Sequence, residues 1–137
     1  MEHSKDNFVN KRKIFGRVKW PDGTVHEGEW RNNKLNGKGK FFFPNGTKYM
    51  GDFVDDKFEG FGRYEWPDGK VYEGEWLNNM KNGKGKYLWP DGRKYTGDFV
   101  DDKIEGFGRY EKPDGEVYEG ESLKNMLLSK GNNFIEL

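Results

Sequence analysis

Apolar and polar residues alternate with a period of two along most of the chain, in short runs broken by polar punctuation. In residues 24–30, His26, Gly28 and Trp30 fall on one face, while Val25, Glu27 and Glu29 fall on the other. The next run places Gly37, Gly39, Phe41 and Phe43 on one face and Lys38, Lys40 and Phe42 on the opposite one. Such alternation predicts strands with one covered face. The punctuation is Pro21-Asp22-Gly23, Pro44-Asn45-Gly46, Pro67-Asp68-Gly69, Pro90-Asp91-Gly92 and Pro113-Asp114-Gly115, recurring every 23 residues without insertion. Proline presets φ and glycine supplies the left-handed residue, which is hairpin chemistry. The other kind of link, residues 31–36, reads as a longer polar loop. A constant period marks an array whose units bury their apolar faces only by stacking. The predicted fold is all-β: a single-layer twisted antiparallel meander of stacked hairpins, about eleven strands over residues 14–134.

A register follows from the tight turns. With Phe43 opposite Thr47, Phe41 faces Tyr49, Gly39 faces Gly51 and Gly37 faces Phe53. Trp30 opposite Gly37 then keeps parity across the longer loop, with Gly28 opposite Gly39 and His26 opposite Phe41. One row across the sheet is glycine throughout: Gly28, Gly39, Gly51, Gly62, Gly74, Gly85, Gly97, Gly108 and Gly120. Phe41, Tyr49, Tyr64, Tyr72, Tyr87, Tyr95, Tyr110 and Tyr118 form an aromatic row on one side. On the other side Trp30, Phe53, Trp76 and Phe99 alternate with Gly37, Gly60, Gly83 and Gly106. Glycine weakens strand interiors, so the row has a purpose. Neighbouring rings fold over the bare backbone, or the valley admits another chain, and the two are compatible. With no sequence left for a covering layer, much of this face is expected to stay open, and an exposed apolar strip marks an interaction site.

The opposite face pairs unlike charges: Glu29, Lys38 and Asp52 in one row, and Glu27, Lys40, Met50, Arg63 and Glu73 in the next. This reads as a solvated, charge-laddered face. The sharper alternative is a headgroup- or anion-binding surface of Lys38, Lys40, Arg63, Lys84, Lys86 and Arg109, against which the interspersed glutamates argue.

Composition narrows the field. Net charge is zero, giving no electrostatic reason to expect nucleic acid. There is no cysteine, so disulfides, thiolate metal sites and cysteine nucleophiles are absent together. Hydrophobic content is 32% and aromatic content 17%, so the core must be largely aromatic. No apolar run suggests an export signal or membrane span, and the chain is expected to be cytoplasmic. Only His3 and His26 offer imidazoles; His3 lies in a charged tail and His26 replaces a repeat tyrosine. The carboxylates recur in every unit, unlike a catalytic pair, which needs one desolvated environment. No enzyme activity, cofactor or metal is expected. The acidic loops Asp55-Asp56-Lys57 and Asp101-Asp102-Lys103 lack the spacing of a calcium loop and read as turns.

The units Tyr49-x-Gly51-x-Phe53, Tyr72-x-Gly74-x-Trp76 and Tyr95-x-Gly97-x-Phe99, each followed by a Gly-x-Gly pair, resemble the MORN repeat over residues 14–131. The resemblance implies a single-layer sheet serving as scaffold or adaptor at cytoskeletal, ciliary or membrane-associated sites, in some members with a partner helix in an aromatic groove. It makes Tyr49, Phe53, Tyr64, Tyr72, Trp76, Tyr87, Tyr95 and Phe99 groove candidates; Trp30, Phe41 and Tyr110 occupy the same two rows. A second period of 46 residues alternates asparagine-rich loops with acidic ones, as a two-unit ligand repeat or a duplication would. The last unit decays, with Ser122, Ser129 and Asn133 at repeat positions. The expected organisation is a flexible polar tail over residues 1–13, the array over 14–122, and a degenerate unit over 123–137. That unit carries Leu123, Met126, Leu127, Leu128, Phe134 and Ile135 and is either a capping turn or short helix closing the sheet edge, or a homodimer or partner surface. The expected partner is a protein segment, with lipid the weaker alternative.

Overall fold

The structure, a computed structural model, describes residues 13–121 and 123–129. Residues 1–12 of the expected tail and 130–137 of the terminal unit lie outside it. Ten strands form one antiparallel sheet in chain order: β1 (Ile14–Lys19), β2 (Val25–Arg31), β3 (Lys34–Phe42), β4 (Lys48–Val54), β5 (Lys57–Glu65), β6 (Val71–Leu77), β7 (Met80–Leu88), β8 (Lys94–Val100), β9 (Lys103–Glu111) and β10 (Val117–Glu121). A short helix, α1 (Leu123–Ser129), follows, as one reading of the terminal unit expects, and the described strands number ten rather than about eleven. It packs on β9 and β10, with Leu123 and Leu127 buried in the core, so this part of the decayed unit is a cap.

The glycine row is continuous through the predicted nine residues and extends to Gly16 on β1. The predicted aromatic row is in register as well, from Phe41 opposite Tyr49 to Tyr110 opposite Tyr118. Each Pro-Asp/Asn-Gly turn closes in the same way. In the first, the Gly23 amide donates to Trp20 O at 3.0 Å and the Thr24 amide to Asp22 Oδ1 at 2.9 Å.

The second kind of link differs from the expected long loop. Asn32 and Asn33 have φ of 53° and 64°, so two residues make the turn and β3 resumes at Lys34. Asparagine and aspartate tolerate this left-handed region, which explains Asn78-Asn79, Asp55-Asp56 and Asp101-Asp102 at the same place. Two extra residues then bulge on β3, and Trp30 pairs with Leu35 rather than Gly37. The same slip sets Phe53 opposite Phe58, Trp76 opposite Lys81 and Phe99 opposite Ile104. On its other edge each odd strand keeps the predicted pairing, as Gly60 with Trp76 and Gly83 with Phe99. Carboxylates hold the bulges: Glu29 Oε2 accepts the Lys38 amide at 2.5 Å and Asp52 Oδ2 the Phe61 amide at 3.0 Å. At Gly83, φ of 99° and the Glu75 carboxylate beside it leave no room for a side chain.

Successive two-residue turns also clasp one another. The Asp56 amide donates to Leu35 O and Asp56 Oδ1 accepts the Leu35 amide, at 3.0 and 2.8 Å. Asn79 does the same to Phe58, and Asp102 to Lys81. A second pair of bonds joins Asn36 to Asp55 and Asn82 to Asp101. The 46-residue alternation of amide and acidic turns therefore has a structural reason: an asparagine-type unit locks onto the acidic unit after it.

Candidate protein-binding site

The aromatic face contains two layers of rings. The first lies flat on the glycine row. Tyr49 covers Gly62, Tyr72 covers Gly85 and Tyr95 covers Gly108, so closely that a methyl at any of these glycines would overlap the ring. Each phenol bridges to its own strand: Tyr49 to Asp52 O at 2.7 Å, Tyr72 to Glu75 O at 2.8 Å and Tyr95 to Asp98 O at 3.0 Å. Burial raises the phenol pKa of all three above the usual tyrosine range. Phe53, Trp76 and Phe99 stand edge-on between them, giving the unbroken sequence Phe53, Tyr49, Trp76, Tyr72, Phe99, Tyr95 at centroid separations of 5.0–5.5 Å. Phe58 stacks on Tyr49 at 3.9 Å.

These six rings were expected to line an open groove. They are buried instead, as are Tyr87 and Tyr110. The reason is the slipped hairpin, which swings Leu35, Phe58, Lys81 and Ile104 onto the aromatic side, where they join the same core. Among the expected groove residues, Trp30, Phe41 and Tyr64 remain half-buried.

The second layer runs along the Pro-turn edge. Trp20, His26, Phe41, Phe43, Tyr64, Trp66, Tyr87, Trp89 and Tyr110 contact one another in that order, with successive centroids 4.2–6.0 Å apart. Trp20, Phe43, Trp66 and Trp89 each precede a proline and recur at the 23-residue period, outside the two rows expected to line a groove. At the fifth copy Lys112 replaces the ring. Trp20 is 48% exposed, and Phe41, Phe43, Tyr64 and Trp66 are half-buried. Burial and the Asp68 carboxylate push the Tyr87 phenol up to about 12.

Lys81 interrupts this apolar surface. It stands where sister units carry Leu35, Phe58 and Ile104. Its side chain is 9% exposed, with Nζ 3.3 Å from Asp102 Oδ1 and 5.5, 5.8 and 6.0 Å from the rings of Trp66, Tyr72 and Trp76. The rings and the carboxylate together compensate the ammonium.

His26 occupies a repeat tyrosine position and lies 4.2 Å from Phe41. Burial lowers its pKa below 6.5, with Asp56 and Asp22 opposing. The unfolded chain therefore binds this proton more readily, and stability must fall as pH drops through about 6.5. His26→Tyr is expected to remove that component: urea midpoints of the variant and the parent should diverge on going from about pH 7.5 to about pH 5.5, the parent losing more.

The six cations of the outer face sit among acids. Lys38 pairs with Asp52, Lys84 with Asp98, Arg63 with Glu65 and Glu73, and Arg109 with Glu111 and Glu119. Lys40 lies opposite Glu27, and Lys86 opposite Glu73. Among the described residues, no cluster of three or more histidine, aspartate or glutamate side chains is placed to hold a metal ion, and no helix is long and apolar enough to cross a membrane.

A ribbon built by repetition, with its chemistry in a ring-lined face rather than a cleft, is a repeat-protein scaffold of the binding-module class. The MORN-repeat family model matches residues 26–48, 49–71, 72–92 and 95–117, and the chain belongs to that family. No curated protein matches it.

Proposed function

We propose that the chain is a non-catalytic adaptor that holds a helical or extended segment of a partner protein along the ladder from Trp20 to Trp66. Its setting is a cytoskeletal, ciliary or membrane-associated assembly. The observation that carries this reading is the run of contacting rings that keep exposed area on the Pro-turn edge, Trp20, His26, Phe41, Phe43, Tyr64 and Trp66, before the ladder enters the core at Tyr87 and Trp89. Large rings held in place by their neighbours present apolar area at little entropic cost, which is what a recognition surface needs. Because the outer-face cations are matched by acids, that face lacks the uncompensated positive field that lipid headgroups attract.

The test compares proteins captured from native extract by the wild-type chain, by Phe43→Ala/Trp66→Ala and by Lys84→Glu/Lys86→Glu. The ladder variant should lose the specific captures, by tenfold or more on quantitative mass spectrometry, while keeping the wild-type circular dichroism spectrum; the outer-face variant should retain them. An unchanged capture set in the ladder variant refutes the proposal.

A further inference from the structure

The face turned away from the rings is patterned strand by strand. We propose that two copies of the chain pair through these outer faces, about a two-fold axis that runs parallel to the strands between β5 and β6.

The first observation is a set of charge stripes. Among the residues that adjoin the row glycines in sequence, every cation lies on an odd-numbered strand and every acid on an even-numbered one. Lys38 and Lys40 flank Gly39 on β3 and Lys84 and Lys86 flank Gly85 on β7, whereas Glu73 and Glu75 flank Gly74 on β6. The face therefore carries stripes of alternating sign, each one strand wide. The proposed axis sets β5 over β6 of the other copy and β4 over its β7, so each basic stripe lies over an acidic one. Arg63 then faces Glu73 of the other copy, and Lys84 faces its Asp52. An axis across the strands would instead set each stripe over itself, like on like. The internal pairs of Arg63 with Glu73 and Lys84 with Asp98 stay intact, and each cation gains a second counter-charge that fixes the register.

The second is apolar area that the fold does not require. Phe61 and Phe107 project from this face, 57% and 46% exposed, at a position where the sister units carry Lys38 and Lys84. Val54, Leu77 and Val100 are exposed on the same face. Large apolar groups gathered on one surface mark an interaction site. In the stacked arrangement Phe61 comes over β6 of the other copy, beside Leu77. Phe107 comes over β2, at a hollow of about 330 Å³ bordered by Phe15, Glu27, Lys38, Lys40 and Met50.

The third is size. Ten strands about 4.8 Å apart, each giving about 20 Å of length, present about 900 Å² per copy. Stable complexes bury about 800 Å² per partner. Packed sheets cross at about 30°, so the register is closest near the axis, where Phe61, Arg63, Glu73 and Leu77 lie. The interface is isologous and closes at two copies. The ring-bearing faces point away from each other, so pairing and partner capture are independent.

Charge reversal tests the arrangement by sedimentation. Arg63→Glu and Glu73→Arg each place like charges at both contacts of the symmetric pair, so each variant alone should be monomeric at concentrations where the parent is dimeric. Mixed in equal amounts, the two should recover the dimer, because both contacts of the mixed pair again join opposite charges. Each variant lacks its internal pair whether mixed or not, so recovery reads the contact between copies and not folding. Phe61→Lys, which installs the residue type of two sister units, should keep the wild-type circular dichroism spectrum and weaken the dimer tenfold or more. A mixture no more dimeric than its components overturns the proposal, and so do dimers that each variant keeps alone. So would a parent that is monomeric at every concentration, which is the outcome if residues 1–12 of the same chain cover the face.

Discussion

Tyr72→Ala is expected to destabilise the array by about 3–5 kcal/mol, read from urea unfolding. The ring is fully buried, roofs Gly85 and touches both Trp76 and Phe99. Removing it uncovers backbone as well as opening a cavity. Tyr72→Phe keeps the ring and loses only the bond to Glu75 O, for about 1 kcal/mol. Gly85→Ala supplies the diagnostic cross-check. In the parent its methyl must displace the Tyr72 ring, at about 1–3 kcal/mol for overpacking, whereas in the Tyr72→Ala background the same methyl is harmless or stabilising. Additive losses would mean that the glycine row serves something other than these rings. It follows that a Tyr72→Ala/Trp76→Ala double variant reports on folding and not on partner capture.

The second large effect is at Lys81. Asp102→Ala should lower stability by about 2–3 kcal/mol, somewhat less than for a fully buried pair because Asp102 is half-exposed. It removes the counter-charge of a buried ammonium and the acceptor of the Lys81 amide, and puts alanine at φ of 70°. Asp102→Asn keeps the turn and the amide bond and isolates the charge. Lys81→Leu, which restores the apolar residue found in three sister units, should be neutral or stabilising by about 1 kcal/mol. In that background Asp102→Ala should lose correspondingly less. If Lys81→Leu is itself strongly destabilising in the same urea experiment, the ammonium is integral to the core rather than tolerated by it.

The sheet was readable because its rules are local and repeated. Period-two alternation fixes which side chains share a face, and Pro-Asp-Gly fixes the register at one end of every hairpin, so the glycine and tyrosine rows follow. The other end was misjudged because Asn32-Asn33 sits in a polar stretch that looks like a loop, while its left-handed backbone makes a two-residue turn and forces a bulge. That single slip brought Leu35, Phe58, Lys81 and Ile104 over the tyrosines and changed the expected groove into a core. Parity was preserved, so the faces were right and their accessibility wrong. The rings before proline were visible as a periodic pattern but not as a surface: Phe43 falls on the ring face by alternation, while Trp20, Trp66 and Trp89 gain a role only through their contacts with neighbouring rings. Long-range bonds such as Asn36 to Asp55, spanning two hairpins, carry no local signature at all.

Those paired turns make the natural quantum of length two units rather than one. Adding or deleting a double unit leaves every amide-bearing turn beside its carboxylate mate; changing the count by one would set Glu59 against the flank of Asp101, acid facing acid, where Asn82 now donates. A ribbon of this kind can be lengthened like a ruler whose divisions come only in pairs.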